Sequence, residues 1–182
     1  MLTRSKIATI GVVAVLIVIG LAGGVLDTSD SGPRESDGST LRWLSLDEGI
    51  ALAKQANKQI LVDVYTDWCS WCKKMDKEVY TDRDVQEVLQ AHFVPVKLDA
   101  ESARQLTLSN RTISESRLAQ EMGVTGYPTT VFFDADFQPI TKVAGYIESR
   151  QFARILRFIG EDHYKTKTYE EFLSIGDASD AQ

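Results

Sequence analysis

Residues 62–73 read VDVYTDWCSWCK, and this stretch decides the fold. Its first half belongs to a short apolar run, QILVDVY (59–65), whose β-branched residues indicate a buried strand. Its second half contains Cys69 and Cys72, the only cysteines among the 182 residues, and leads into WCSWCKKMDKEVY (68–80). We interpret that segment as a turn followed by a helix, so both thiols are expected at the start of the helix.

The spacing of the two cysteines narrows their possible uses. A zinc site needs four ligands, and the only histidines, His92 and His163, have no ligand-like spacing. Attachment of a c-type haem needs a histidine where Lys73 stands. A purely structural disulfide would close too small a loop to add much stability. Zinc binding is kept as a minor alternative, and thiol–disulfide exchange by Cys69 and Cys72 is favoured.

The two cysteine positions suit the two steps of thiol–disulfide exchange. Cys69 is expected at a helix N-terminus, where free N–H groups and the helix dipole favour a thiolate. Such surroundings lower a cysteine pKa from about 8.5 toward about 3.5–7.5. Cys72 lies one helical turn further into the helix. We therefore expect Cys69 to attack the substrate and Cys72 to resolve the mixed disulfide.

Five features in chain order resemble the thioredoxin family. They are the stretch 62–73, Asp63 six residues before the first cysteine, Lys97 in PVKLD, the loop Gly126-Tyr127-Pro128-Thr129, and Gly145 after the last predicted strand. The resemblance covers residues 41–160 and implies an α/β thioredoxin fold, with a central mixed β-sheet flanked by helices. It also implies that Lys97 neighbours a buried Asp63 and that Pro128 is cis.

The resemblance also implies roles for individual side chains. The residues expected to act in catalysis are Cys69, Cys72, Asp63, Lys97 and Pro128. The residues expected to bind a substrate are Trp68, Trp71, Tyr127 and Pro128. Asp63 stands inside an apolar run, and a buried carboxyl resists ionisation and can take or give a proton. We expect no metal, and no cofactor beyond the redox-active disulfide of the two cysteines.

The order of the predicted elements is helix, strand, helix, strand, helix, strand, strand, helix, which indicates an α/β structure with a mixed sheet. Capping-box spacings at Ser45–Glu48 and Thr112–Glu115 predict two helix starts. Pro95 predicts an edge strand or an irregular strand. Residues 99–111 are interpreted as a loop, and a short last helix is expected over 168–173.

The first apolar segment predicts a membrane anchor. Residues 7–26, IATIGVVAVLIVIGLAGGVL, carry no charge and are about long enough to cross a bilayer as one helix. Arg4 and Lys6 precede this run, so the positive-inside rule puts the N-terminus in the cytoplasm and the rest of the chain outside it. A cleaved signal peptide is the alternative, but the length of the run favours an uncleaved, single-pass anchor.

The rest of the chain fits one folded domain with additions. Residues 27–40 are polar, acidic and rich in Ser and Gly, which indicates a disordered tether. A thioredoxin-like domain is expected over 41–175 and a short tail over 176–182. The dipeptide Ser-Trp between the cysteines, Tyr65 in place of a tryptophan and the longer connection 100–115 differ from thioredoxin. With the anchor, they resemble membrane-tethered or periplasmic thioredoxin-related proteins, including the type associated with sulfur oxidation.

The sequence therefore predicts a thiol–disulfide oxidoreductase in the periplasm or cell envelope. Its expected substrates are disulfide-containing proteins, and a membrane-embedded donor is expected to supply electrons because this compartment lacks a cytosolic thiol supply. Contact with the lipid bilayer is expected through residues 7–26. The net charge of −6 argues against a nucleic-acid partner. A disulfide-donating oxidase or isomerase, a Cu(I) chaperone and a binding module without turnover stay open as alternatives.

Overall fold

The helices and strands are described by a computed structural model over residues 41–108 and 111–179. In chain order the elements are α1 (Leu46–Ala56), β1 (Gln59–Tyr65), α2 (Ser70–Glu78), α3 (Arg83–His92), β2 (Phe93–Asp99), β3 (Gln105–Leu108), β4 (Arg111–Ser114), α4 (Glu115–Glu121), β5 (Thr129–Phe133), β6 (Pro139–Ala144), α5 (Ser149–Gly160) and α6 (Tyr169–Ser179). A short 3-10 helix (His163–Lys165) lies between α5 and α6.

The main sheet has the strand order β2-β1-β5-β6. β1 pairs with β2 in parallel and with β5 antiparallel, and β5 pairs with β6 antiparallel. Helices pack on both faces of this sheet, since each of the two buried cores contains residues from the sheet and from helices. The prediction of an α/β thioredoxin fold with a mixed sheet is confirmed.

Alternate residues of β1 face opposite sides of the sheet. Ile60, Val62 and Val64 are buried in a first core that includes side chains of α1 and α4. Leu61 is buried in a second core with side chains of α2, α3 and α5. Asp63 lies two residues beyond Leu61 and is also buried. The strand alternation therefore directs the Asp63 carboxyl to the α2 side of the sheet.

β2 lies at an edge of the main sheet, as Pro95 predicts. Its outer side is bonded to the segment before α1, because the Leu44 N–H donates to the Pro95 carbonyl at 3.0 Å and the Leu44 carbonyl accepts from the Lys97 N–H at 3.1 Å. The Pro95 carbonyl faces outward, so its ring nitrogen also lies on the outer side. The missing N–H of Pro95 thus removes no bond to β1.

The interpretation of residues 99–111 as a loop is wrong for its second half. β3 and β4 pair antiparallel and form a separate two-stranded sheet. Leu106, Leu108 and Ile113 are buried in the first core. The hairpin forms because burial of these three apolar side chains on one face stabilises strand pairing.

One of the two predicted capping boxes is confirmed and the other is wrong. At the start of α1, the Ser45 N–H donates to Glu48 Oε2 at 3.1 Å. Thr112 instead lies in β4, and α4 begins at Glu115 with Ser114 as its N-cap. Pairing with β3 keeps the backbone of Thr112 extended, and the helix starts only where that pairing ends.

The described residues include the last predicted helix but not the predicted segments at the N-terminal end of the chain. α6 runs over Tyr169–Ser179, so the last helix extends beyond its predicted end at residue 173 and into the segment interpreted as a tail. The predicted membrane span, 7–26, and the predicted tether, 27–40, lie outside the described residues. Within 41–108 and 111–179, no helix is long and apolar enough to cross a bilayer.

Candidate active site

Cys69 and Cys72 stand at the N-terminus of α2 and are joined by a disulfide bond. Cys69 is the N-cap residue, and its Sγ accepts a hydrogen bond from the backbone N–H of Cys72 at 3.0 Å. Free N–H groups at this end of the helix favour a thiolate on Cys69 once the bond is reduced. No group of three or more His, Cys, Asp or Glu side chains in the described part of the chain could hold a metal ion.

An ion-pair network connects the helix of the cysteines to the sheet. Cys72 and Asp76 are four residues apart in α2, so their side chains lie on the same face of the helix. The Nζ atom of Lys97 lies 2.5 Å from Oδ1 of Asp76 and 2.5 Å from Oδ2 of Asp63. Lys97 therefore links β1, β2 and α2, and the Asp63 carboxyl lies on the Cys72 side of the sheet.

The Asp63 carboxyl is almost fully buried, with 1% of the residue exposed. Oδ2 accepts a hydrogen bond from the Lys97 ammonium. Burial raises the pKa of Asp63 above its ordinary value, and the Lys97 ammonium offsets only part of this effect. A carboxyl with a raised pKa can both accept and return a proton, so Asp63 has the properties of a general base.

Three aromatic rings also face the Lys97 ammonium. Its Nζ atom lies 4.7 Å from the ring centre of Trp43, 5.1 Å from that of Tyr65 and 5.5 Å from that of Tyr80. Burial disfavours the charge on Lys97, but the two neighbouring carboxylates outweigh it and raise the lysine pKa. The ammonium therefore stays charged between carboxylates and aromatic faces.

Two exposed tryptophans flank the disulfide. Trp68 precedes the first cysteine and is 66% exposed, and Trp71 lies between the cysteines and is 54% exposed. The Trp68 ring packs edge-on against Tyr127 with centres 5.9 Å apart, and its Nε1–H donates to Glu101 Oε1 at 3.0 Å. The Trp71 ring packs against Tyr146 with centres 5.4 Å apart. Exposed aromatic surface next to a reactive group offers a contact area for a protein partner.

The loop before β5 presents Pro128 on the same side as Trp68. The Tyr127–Pro128 peptide bond is cis, as the family resemblance implies. The Pro128 carbonyl accepts a hydrogen bond from the Gly145 N–H at 2.8 Å, which ties the loop to the residue after β6. The contact between Trp68 and Tyr127 brings this loop beside the disulfide. The structure thus groups the predicted substrate-binding residues around the cysteine pair.

Asp76, Trp43, Tyr80 and Tyr146 belong to the site although no sequence motif indicates them. A usable signal exists for Asp76, because it is four residues after Cys72 in a predicted helix. Trp43 and Tyr146 are distant from the cysteines in sequence, and only the folded sheet brings them to this face. Tyr80 is the last residue of the stretch 68–80, and in the sequence its aromatic side chain is typical of a hydrophobic core residue.

The chain belongs to the thioredoxin-like domain family, whose model matches residues 46–160, more than half of the sequence. The solution structure of a thioredoxin from Thermus thermophilus is similar to the described fold. It has 26% sequence identity and a TM-score of 0.54, and the comparison covers 65% of this chain and 86% of that one.

Longer proteins also contain a similar segment. The chain is 32% identical over 103 residues to the thiol:disulfide interchange protein DsbD of Actinobacillus pleuropneumoniae serotype 5b (strain L20), a match that covers 56% of this chain and 16% of that protein. It is 35% identical over 109 residues to the protein of the same name from Tatumella citrea, covering 58% of this chain and 17% of that protein. The chain therefore corresponds to a small part of each relative.

Family membership and the bonded cysteine pair support the predicted thiol–disulfide chemistry of this domain. The five residues expected in catalysis and the aromatic side chains expected to bind substrate now have defined positions. Their roles in the reaction stay predictions.

Proposed function

We propose that this chain reduces disulfide-containing proteins outside the cytoplasm, with Cys69 and Cys72 as its dithiol. The observation that carries the proposal is the buried Asp63 carboxyl on the Cys72 side of the sheet. A reductase needs a proton acceptor for its resolving thiol, because that thiol must attack to release the product. An oxidase has less need of such a group, since its own disulfide is attacked from outside.

The proposed reduction has two steps. In the first, the Cys69 thiolate attacks one sulfur of the substrate disulfide, a mixed disulfide forms, and the other substrate sulfur leaves as a thiolate. In the second, Cys72 gives its proton to the ionised Asp63 carboxylate, and the Cys72 sulfur attacks the sulfur of Cys69. The remaining substrate thiolate leaves, so two electrons have passed from the protein dithiol to the substrate. Asp63 then returns its proton to solvent or to a product thiolate.

A new cycle requires that an electron donor reduce the Cys69–Cys72 disulfide. We assign this step to a dithiol of a membrane-embedded protein, because the proposed compartment lacks a cytosolic thiol supply. The apolar run 7–26, preceded by Arg4 and Lys6, supports attachment of the domain to the same membrane. Such an anchor would hold the domain near its donor at high effective concentration. The relatives named thiol:disulfide interchange proteins support disulfide exchange as the reaction type.

Trapping of mixed disulfides tests the proposed substrates. Cells that carry the Cys72→Ala variant should accumulate covalent complexes between Cys69 and substrate proteins, which mass spectrometry identifies after non-reducing electrophoresis. The matched Cys69→Ala variant should accumulate none, because Cys72 is not the attacking thiol. Equal trapping by both variants would contradict the assignment of the two cysteines.

Equilibration with glutathione buffers tests the direction of electron transfer. A reduction potential near about −270 mV, the value of thioredoxin, would support the reductase. A potential near about −120 mV, the value of a strong periplasmic oxidant, would reverse the direction and favour the oxidase.

Protease treatment of spheroplasts tests the location. External protease should remove the domain from intact spheroplasts, and the protein should sediment with membranes in untreated cells. Protection of the domain would contradict an extracytoplasmic location, and release of a shorter soluble form would contradict the anchor and favour a cleaved signal peptide.

A further inference from the structure

Trp43 is held beside the active-site ion pair by backbone bonds of its neighbour. Leu44 donates its N–H to Pro95 and accepts the N–H of Lys97, so it is fixed to β2 on both sides of Pro95. It also forms a parallel bridge with Val96 of β2. Trp43 therefore enters the site from a short segment that packs on the sheet edge before α1 begins.

The Trp43 ring completes the surroundings of the Lys97 ammonium. It lies 4.7 Å from Nζ and packs edge-on against Tyr80 with ring centres 4.7 Å apart. The Lys97 side chain is 20% exposed, whereas the Asp63 side chain is 1% exposed and Asp76 is 45% exposed. The Lys97 ammonium could therefore bind Asp76 at the protein surface. To bind Asp63, it must turn toward the buried side of the sheet.

We propose that Trp43 is a positioning residue, which holds the Lys97 ammonium against the buried Asp63 carboxylate and so controls proton transfer from Cys72. The inference rests on the proposed role of Asp63 as proton acceptor. The ring restricts the lysine chain and excludes water from one side of its charge, and its negative face adds attraction. Without the ring, the flexible lysine can turn outward to Asp76 and water, which leaves Asp63 buried without its counter-ion.

The other groups around Asp63 do not replace Lys97. In the disulfide-bonded protein, the titratable groups that face it are Lys97 from β2, Asp76 from α2 and Tyr80 from the segment after α2. In the reduced protein, the proposed mechanism adds the Cys72 thiol of α2 to these groups. Thr130, its neighbour on β5, carries no charge. Burial raises the pKa of Tyr80 well above its ordinary value, so the phenol stays neutral. An outward movement of Lys97 thus removes the positive charge that stabilises the Asp63 carboxylate.

The direction of the pH effect follows from this charge balance. Loss of the counter-ion raises the pKa of Asp63 further, so the carboxyl is protonated over a wider pH range and accepts a proton from Cys72 less often at neutral pH. At alkaline pH the carboxyl is ionised again, and the reaction recovers. General damage to the fold would instead slow the reaction at every pH.

The test uses full-length chain, purified in mild detergent and reduced, in the variants Trp43→Leu, Trp43→Phe, Lys97→Met and Trp43→Leu/Lys97→Met. An aromatic disulfide that releases a coloured thiolate at each of the two steps separates attack by Cys69 from resolution by Cys72. Titration of 13C-labelled aspartate, assigned with Asp63→Asn, reports the protonation of Asp63 directly and does not depend on the direction of the enzyme.

We expect Trp43→Leu to slow the second release about fivefold at neutral pH, a size typical of a cation–π contact that is not fully desolvated. Its rate should recover at alkaline pH, with the first release unchanged and the Asp63 titration moved to higher pH. Trp43→Phe should remain close to the parent protein because it keeps a ring. Lys97→Met should move the Asp63 titration further to higher pH than Trp43→Leu does. Addition of Trp43→Leu to the Lys97→Met variant should then have no further effect.

Four outcomes would overturn the inference. An equal loss at all pH values in Trp43→Leu would indicate structural damage, and an additive effect in the double variant would show that Trp43 does not act through Lys97. An unshifted profile in Lys97→Met would overturn both this inference and the role of Asp63 as base. A shifted Lys97→Met with an unshifted Trp43→Leu would overturn the role of Trp43 alone and leave the proposed function intact.

Discussion

Asp63 and Lys97 stand opposite each other in the parallel ladder of β1 and β2, and their side chains meet with 2.5 Å between Oδ2 and Nζ. Thr130 is the antiparallel neighbour of Asp63 on β5, so the carboxyl lies in the interior of the sheet. Only 1% of the residue is exposed, so water has little access to the carboxyl. Its affinity for a proton is therefore set mainly by burial and by the nearby lysine charge.

Replacement of Asp63 should separate the two chemical steps. We expect Asp63→Asn to slow resolution of the mixed disulfide about 100-fold, the lower range for loss of a general base. The first attack by Cys69 should change little. Stopped-flow kinetics with an aromatic disulfide measure both steps, and Asp136→Asn, an exposed aspartate in the β5–β6 turn, is the control. If both steps of Asp63→Asn are unchanged, Asp63 is not the base.

The same substitution should alter stability in a pH-dependent way. Burial raises the pKa of folded Asp63 above the value of about 3.9 in an unfolded chain. As pH rises between these two values, the unfolded chain releases a proton that the folded chain keeps, so the free energy of unfolding falls. Asp63→Asn removes this pH-dependent loss of stability, because the asparagine side chain does not titrate. Urea unfolding of the reduced protein should show the variant more stable than the parent at neutral pH, with the advantage absent near pH about 4.

Trp71 should contribute to binding of a protein substrate and not to the chemical step. Its exposed ring lies between the cysteines, and Trp is typical of residues that dominate protein interfaces. We expect Trp71→Ala to raise the KM for insulin about tenfold with kcat nearly unchanged. Leu52→Ala, which removes an exposed apolar side chain from α1, should leave both constants unchanged. A lowered kcat with an unchanged KM would contradict a binding role.

Close packing of α1 on β2 predicts a stability effect at Gly49. A Cβ atom at this position would lie 2.3 Å from Cγ2 of Val96, which belongs to the buried first core. We expect Gly49→Ala to lower the free energy of unfolding by about 1–2 kcal/mol, because overpacking outweighs the gain in helix propensity. The double variant Gly49→Ala/Val96→Ala should lose less than the sum of the single variants. Additive losses in chemical denaturation would contradict the predicted clash.

Local sequence patterns account for much of the fold and of the cysteine site. The apolar run of β1, the capping box of α1 and the position of Cys69 all depend on residues close together in the chain, and all three are found as predicted. The β3–β4 hairpin is missed because its alternation is only four residues long in each strand, too short to separate from a loop.

The surroundings of Lys97 depend on contacts between distant parts of the chain. Asp63 is 34 residues from Lys97 in sequence and Asp76 is 21 residues away. The family resemblance indicates the first pair, because both residues match known positions. The spacing of four residues from Cys72 places Asp76 on the same face of α2 as that cysteine. Nothing in the local sequence indicates that Asp76 or Trp43 contacts Lys97, since strand register and the path of the segment before α1 decide these contacts.

The bonding of Leu44 to β2 also restricts how this protein can associate with other chains. An exposed sheet edge can accept a strand from a second molecule, because its outward N–H and carbonyl groups lack partners. On the β2 side, the Pro95 carbonyl and the Lys97 N–H are already used by Leu44, and Pro95 has no N–H to offer. The opposite edge of the sheet is β6, where Leu44 has no counterpart among the described strands. Dimerisation or aggregation by strand addition to the main sheet would therefore proceed through β6.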